Sequence, residues 1–204
     1  MAKRLASEGA FVVATDMNGD AAGTVVAEIE ASGSQATAIV SDIANGEPCR
    51  ELIAKVIEQK GRVDILANNA GINRRGNIEA VSEDDWRLSF AVNIDAMFHL
   101  CKAVIPHMIG AGGGTIVNMA SQWGLYPAPN HIAYNVTKAA VASFTQNLGR
   151  DYAPHKIRVN AVCPGEITRP CWKRVSGAPA GRSPIWTNSF PSAVLGNRKK
   201  WRRS

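Results

Sequence analysis

The sequence predicts an α/β chain built as a doubly wound, mostly parallel sheet, and three observations carry that prediction. Short apolar runs, FVVATD at 11–16, VDIL within 63–68 and TIVNMA at 115–120, alternate with longer segments of amphipathic helical spacing. The runs are apolar throughout rather than alternating, as strands covered by helices on both faces must be. Turn and polar residues close each run, Asp16, Asn68 and Ser121 among them, which fits strands that end at a functional edge.

Taken in order, residues 11–16 read as a strand, 20–32 as a helix and 35–42, QATAIVSD, as a second strand. A helix over about 47–60 follows, with Asn45 as its cap and Pro48 tolerated in its first turn, where a missing N–H costs nothing. The strand at 63–68 comes next. Ser82, with Asp85 three residues on, resembles a capping box and opens a long helix reaching to about Pro106 or slightly beyond. A strand at 115–120, a helix at about 132–152 and a strand at 157–163 complete one layered domain over residues 1–168, without linker or repeat.

Within that frame one helical segment carries chemistry. In YNVTK, Tyr134 and Lys138 lie four apart, one turn above the other on one face, so both can act on a single ligand. A phenol titrates near 10, and a neighbouring ammonium favours phenolate, moving the group towards the working range of a general acid or base. Ser121 stands thirteen positions upstream, at the end of a strand, and Asn93 lies inside FAVNIDAMF.

Together these motifs resemble the short-chain dehydrogenase/reductase family over roughly residues 2–168: NNAG at 68–71, Asn93, Ser121 after GTIVNMA, the YNVTK helix, and Pro164 and Gly165 after IRVNAVC. Thr137 stands where the family usually has Ser. The resemblance implies a Rossmann-like fold and an oxidoreductase that moves hydride between NAD(H) and a secondary alcohol or carbonyl compound. It makes Asn93, Ser121, Tyr134 and Lys138 the catalytic set, with Asn93 holding a water that links Lys138 to solvent. It places Asn69, Ala70, Gly71, Pro164, Gly165 and Thr168 beside the cofactor with Tyr134 and Lys138, and it implies association into dimers or tetramers through the long helices.

Asp16 ends the first visible strand, where a carboxylate accepts from both adenosine ribose hydroxyls and repels a 2′-phosphate. Met17, Asn18 and Gly19 follow it with no Arg, so NAD is expected over NADP. Asp42 is by resemblance an adenine-side contact, while read as a residue alone it equally caps the next helix. Arg74 and Arg75 either face an anionic sugar acid or carboxylate or are solvated loop cations, and His131, near Tyr134 in sequence, is a candidate substrate contact.

The family also opens with a strand and a TGxxxGxG turn whose glycines let backbone amides approach a pyrophosphate. Neither is found here: AKRLASEGA looks like the last turns of the helix that follows that turn. The absent strand is central in the family, so two sheet edges are expected to be left unpaired, and the chain to be a catalytically inactive remnant unless both ends are restored. At the other end the composition changes. Residues 1–168 carry 14 Lys and Arg against 17 Asp and Glu, net −3, whereas residues 169–204 carry 9 against none, net +9, and hold three of the five Trp. That tail is expected to be a disordered, basic, non-family segment, and the overall +6 says nothing of nucleic-acid or membrane partners.

Cys49, Cys101, Cys163 and Cys171 have no CxxC or Cys/His spacing, and the four His are dispersed, so reduced thiols and no metal site are expected. The most apolar stretch, about 91–109, carries Asp95, His99 and Lys102, which disfavours a membrane span. With no signal-peptide pattern either, the expected location is the cytoplasm.

Overall fold

The computed structural model describes residues 1–165 and, as backbone, 187–188 and 192–196. Helix α1 (Ala2–Ser7) leads into strand β1 (Phe11–Asp16), then α2 (Gly19–Ala31), β2 (Ala36–Val40) and α3 (Gly46–Lys60). Next come β3 (Ile65–Asn68), the short β4 (Gly71–Ile72), α4 (Glu83–Phe90), a π-helical turn (Ala91–Asp95) and α5 (Ala96–Gly110). Strand β5 (Gly114–Met119), a 3₁₀ turn (Gln122–Gly124), α6 (Ile132–Tyr152) and β6 (Ile157–Val162) finish the continuous part, and β7 (Thr187–Asn188) and β8 (Ser192–Gly196) come from the C-terminal segment. The main sheet has the order β2-β1-β8-β3-β5-β6, and β4 pairs with β7 apart from it.

Pleating sorts the strand residues between two layers. Val12 and Ala67 pack with Ala2, Ala6 and Ile29 of α1 and α2 on one face. Val13, Leu66, Ile116 and Ile157 meet Leu52, Ile53 and Val56 of α3 and Leu100, Val104 and Met108 of α5 on the other. Each fully buried Leu, Ile or Val there contributes about 1.5–3 kcal/mol relative to exposure, so this layer dominates the core. The helix from Glu83 to Gly110 is long and apolar enough to cross a membrane by length and composition, but its apolar face is the one buried in this core.

Helix starts show which local signals act. The Ser82 hydroxyl accepts from the Asp85 amide at 3.1 Å, whereas the Asp85 carboxylate turns to Arg74 instead of closing a capping box. Asn45 does stand at the α3 cap, yet its side chain makes no cap bond. Its amide donates to Asp42, 3.2 Å away. Gly61 ends α3 in the left-handed conformation, φ 76°, a geometry that suits glycine.

The expectation of two unpaired central edges and a disordered tail does not extend to residues 192–196. Strand β8 fills the gap, running antiparallel to both neighbours, with Ala193 beside Ala14 and Ala67, Val194 beside Val13 and Leu66, and Leu195 beside Val12 and Ile65. Two rows of buried backbone groups demand partners there, and SAVLG is an uncharged apolar run within an otherwise basic segment.

Candidate active site

Four elements converge at the carboxyl ends of β3 and β5. Strand β5 delivers Ser121 into the 3₁₀ turn, where its hydroxyl accepts from the Trp123 amide at 3.2 Å. That turn lies so close to α6 that a Cβ on Gly124 would sit 2.6 Å from the Lys138 carbonyl carbon and 2.7 Å from the Ala139 nitrogen. Glycine is what lets Ser121 and α6 approach. Tyr134 lies near enough to Ser121 for that side chain to lower its pKa, and the Trp123 ring stands edge-on to Tyr134 with centroids 6.1 Å apart.

Lys138 is 3% exposed, with Nζ donating to the Met119 carbonyl oxygen at 2.6 Å and lying 5.6 Å from the Tyr134 ring centre. Burial lowers its pKa to about 8. Tyr134 moves the opposite way from the sequence expectation. Its desolvation by the surrounding protein raises the phenol above its ordinary value, and only the Ser121 side chain draws it back down. The physical reason is that burial strips solvent from the phenolate, and this outweighs what its neighbours return.

The π-helical turn, which nothing in the sequence signalled beyond the motif itself, rotates Asn93 inward until it is 0% exposed. Its Oδ1 accepts from the Ile72 amide at 2.8 Å, and its Nδ2 donates to the Ile72 carbonyl and to the Thr137 hydroxyl, each at 3.0 Å. Thr137 donates in turn to the Tyr134 carbonyl at 2.9 Å, so the family's Ser position is filled by a hydroxyl with two specific partners. Gly71 sits against this cluster: a Cβ there would meet Asn93 Oδ1 at 3.1 Å and Lys138 Nζ at 3.3 Å. Asn93, Ser121, Tyr134 and Lys138 are therefore brought together with Gly71 at one end of the sheet, and Asn69 and Ala70 form the turn between β3 and β4.

The remaining expected contacts divide. Asp16 is 8% exposed at the end of β1 and accepts from the Asn18 amide at 2.9 Å, fixing the turn while presenting a carboxylate at the sheet edge. Asp42 behaves as a turn cap, accepting from the Ala44 amide at 3.1 Å and from Asn45. The Pro164 carbonyl accepts from the Gln122 amide at 3.0 Å, and a Cβ on Gly165 would meet Gln122 Oε1 at 3.2 Å, so both back the Ser121 turn. Thr168 lies outside the described residues. Arg74 reaches Asp85 at 3.1 Å, while Arg75 is exposed.

Sequence reasoning missed the buried polar chain behind the site: Asn68 donates to Asn118 at 2.8 Å, and Asn118 to the Thr145 hydroxyl at 2.9 Å, tying β3, β5 and α6 together. Asn in a strand end followed by Asn in the next was the available signal. Among the described residues no group of three His, Cys, Asp or Glu gathers as a metal site would require.

A doubly wound α/β sheet with a Tyr–Lys helix beside a strand-end Ser resembles the short-chain dehydrogenases, and comparison with known proteins shows that family. Residues 1–178 match the short chain dehydrogenase family. An uncharacterized oxidoreductase of Thermotoga maritima is 41% identical over 160 residues, 78% of this chain and 63% of that protein. NAD+-bound xylitol dehydrogenase superposes with TM-score 0.79 at 34% identity, covering 82% of this chain and 65% of the other. A gluconate 5-dehydrogenase from Burkholderia cenocepacia J2315, in complex with NADP and tartrate, gives TM-score 0.78 at 35% identity, covering 82% and 66%. The chain belongs to the short-chain dehydrogenase family, and it spans 63–66% of the length of these three relatives.

Proposed function

We propose that this chain is a cytoplasmic oxidoreductase that moves hydride between NAD(H) and a secondary alcohol or ketone, with Tyr134 as the proton donor and acceptor. The observation that carries this reading is Tyr134 beside the buried Lys138, Nζ 5.6 Å from its ring centre, on the helix against which the Ser121 turn packs. The donor set suits the two nucleoside ends of the cofactor. Lys138 has three N–H donors and one at least remains for a ribose diol after Met119 is served, with Asn69, Ala70, Gly71, Pro164, Gly165 and Thr168 as the surrounding wall. Asp16, followed by Met17, Asn18 and Gly19 with no Arg, accepts from the adenosine diol and favours NAD over NADP.

In the oxidative direction Ser121 holds the alcohol oxygen, and Tyr134, as phenolate, takes its proton. In reduction the phenol returns that proton to the developing alkoxide, and the upward-shifted Tyr134 is already in that form at neutral pH. Lys138 stabilises the phenolate as it forms, and Asn93 orients the relay from Lys138 to solvent. When bound, NAD supplies the hydride acceptor that no side chain offers. Tyr134→Phe is expected to lower turnover at least about 100-fold with NADH affinity little changed. Near-normal turnover in a steady-state assay would remove Tyr134 from the mechanism.

One observation favours a second reading, a catalytically inactive member that at most associates. In open α/β sheets ligands lie outside the carboxyl ends of the strands, and β8 enters the sheet from that edge, with Ser192 beside Thr15. Its own carboxyl end points the other way, so no strand-to-helix turn leaves β8 towards a pyrophosphate. NADH fluorescence on the purified chain separates the two: micromolar binding supports the enzyme, and binding no tighter than millimolar supports the remnant. Homo-oligomerisation is proposed through the long helices, which expose Phe98, Ile109 and Val136. Light scattering tests it.

A further inference from the structure

Resting on the oxidoreductase reading, we infer that Thr137 is a positioning residue for the proton relay: its hydroxyl takes up the last free donor of Asn93, so that the buried amide presents only an acceptor, Oδ1, on the Lys138 side of the site. Thr137 is 0% exposed, so it touches neither substrate nor cofactor and acts through Asn93. It stands on α6 between Tyr134 and Lys138 in sequence, and its bond to Asn93 ties the first turns of that helix to the π-helical turn, 44 residues away in the chain.

Counting donors and acceptors fixes what each group offers. The Thr137 hydroxyl has one proton and two lone pairs. Its proton goes to the Tyr134 carbonyl, 2.9 Å away, because a carbonyl only accepts, and what remains for Asn93 is a lone pair. The Asn93 atom 3.0 Å from Thr137 Oγ1 is therefore Nδ2. Its other hydrogen goes to the Ile72 carbonyl at 3.0 Å, and Oδ1 accepts from the Ile72 amide at 2.8 Å. Both donors are then spent, and Asn93 keeps one Oδ1 lone pair. A Cβ on Gly71 would meet that Oδ1 at 3.1 Å and Lys138 Nζ at 3.3 Å, so acceptor and ammonium border the same small volume. Nζ gives one of its three N–H groups to Met119 at 2.6 Å and has others to direct there. An acceptor beside an ammonium favours its charged form, whereas an amide N–H would oppose it. Ile72 alone would hold the amide by two bonds but strand one Nδ2 hydrogen in a side chain that is 0% exposed, and a buried donor without an acceptor is costly. Turning the amide to relieve that cost would take Oδ1 from the ammonium; Thr137 removes the cost. Its β-branch restricts χ1 in the helix and keeps the hydroxyl on the backbone carbonyl one turn earlier.

The test uses the full chain labelled with ¹³C-lysine, where the Lys138 ¹³Cε resonance is assigned by its absence from Lys138→Met. Its titration midpoint needs neither cofactor nor turnover. Wild type is expected at about 8. Thr137→Val keeps the shape and removes the hydroxyl, and is expected to lower that midpoint by about half a unit or more, while Thr137→Ser leaves it within about 0.2. In steady-state assays Thr137→Val is expected to lower kcat about tenfold with KM for NADH within about twofold, and Thr137→Ser to stay within about threefold of wild type. An unmoved Lys138 midpoint in Thr137→Val overturns the inference whatever the melting temperature does, since lost packing alone lowers stability and leaves the Lys138 surroundings as they are. A serine variant as impaired as the valine one overturns it too, as does a moved midpoint with unchanged kcat in an active enzyme. Thr137→Cys, of similar volume and only a weak acceptor, is read by the same criteria should the valine variant fail to fold. A midpoint moved by valine and restored by serine, in protein that oxidises no alcohol, leaves the Thr137–Asn93–Lys138 arrangement standing and sinks the oxidoreductase reading instead.

Discussion

At the scale of single residues, burial rather than formal charge controls the site. Lys138 is placed where its ammonium is poorly solvated, so its folded pKa, about 8, is below its ordinary value of 10.5. The folded protein therefore binds fewer protons than the unfolded chain between about pH 8 and pH 10.5, and in that window this residue makes stability rise with pH. Below pH 8 both states are charged and the burial cost is fully present. Tyr134, Cys49 and Cys101, all raised by burial, act in the opposite sense above pH 9. A comparison of variants cancels them: relative to Lys138→Met, the wild type is expected to gain on the order of 3 kcal/mol between pH 7.5 and pH 10.5. Urea midpoints across that range measure it, and parallel pH profiles would show that burial leaves the Lys138 pKa at its ordinary value. Asp16 carries a second prediction. Its carboxylate accepts from a diol and repels a phosphate, so Asp16→Ala is expected to move the NADP:NAD ratio of kcat/KM upward about tenfold or more; a wild type that already prefers NADP contradicts that role.

At the scale of elements, the site depends on how closely the 3₁₀ turn after β5 lies on α6. Gly124 has backbone, not a flexible side chain, within 2.6–2.7 Å of where a Cβ would be, so nothing nearby can yield cheaply. Gly124→Ala is expected to cost about 1–3 kcal/mol and to lower the melting temperature by about 3–10 °C, with Ser121 drawn off Tyr134 so that kcat falls more than NADH affinity. An unshifted thermal midpoint would mean that the turn and helix are not packed as described. Much at this scale was legible beforehand. The strand at 11–16, the α3 and α6 spans and the Ser82 cap follow from apolar runs, spacing and a hydroxyl placed to accept an amide, because those are local effects. The π-helical turn was not, since its cause is long-range: Asn93 is held inward by Ile72 and Thr137. The direction of the Tyr134 shift was hidden for the same reason. Spacing shows that Lys138 is near, whereas the burial that raises Tyr134 comes from packing among segments far apart in sequence.

At the scale of the whole molecule, the question is what joins its two halves. Strands β2 and β1 form one block and β3, β5 and β6 another, and β8 is the strand that pairs with both. It matches five residues of β1 and three of β3. Each backbone hydrogen bond is worth about 1 kcal/mol net, and more when its loss strands a buried partner, against a total stability of about 5–15 kcal/mol. Composition hid this strand because a basic segment without helical or alternating pattern gives no local sign of pairing; the demand comes from the two open edges far away in sequence. Val194 is the residue to change, since it is paired with Val13 on one side and Leu66 on the other and proline can neither donate to a ladder nor sit in a central strand. Val194→Pro is expected to abolish the cooperative thermal transition and to expose apolar surface to dye, whereas Val194→Ile, which keeps the amide and the β-branched shape, retains both cooperativity and midpoint within a few degrees. Hydrogen exchange gives the position-resolved check: amides of Val12, Val13, Ala14, Leu66 and Ala67 are expected to be protected in the wild type and to exchange rapidly in the proline variant. Should the proline variant melt like the wild type with those amides still protected, β8 does not close the sheet, and the two blocks are joined by helix packing alone.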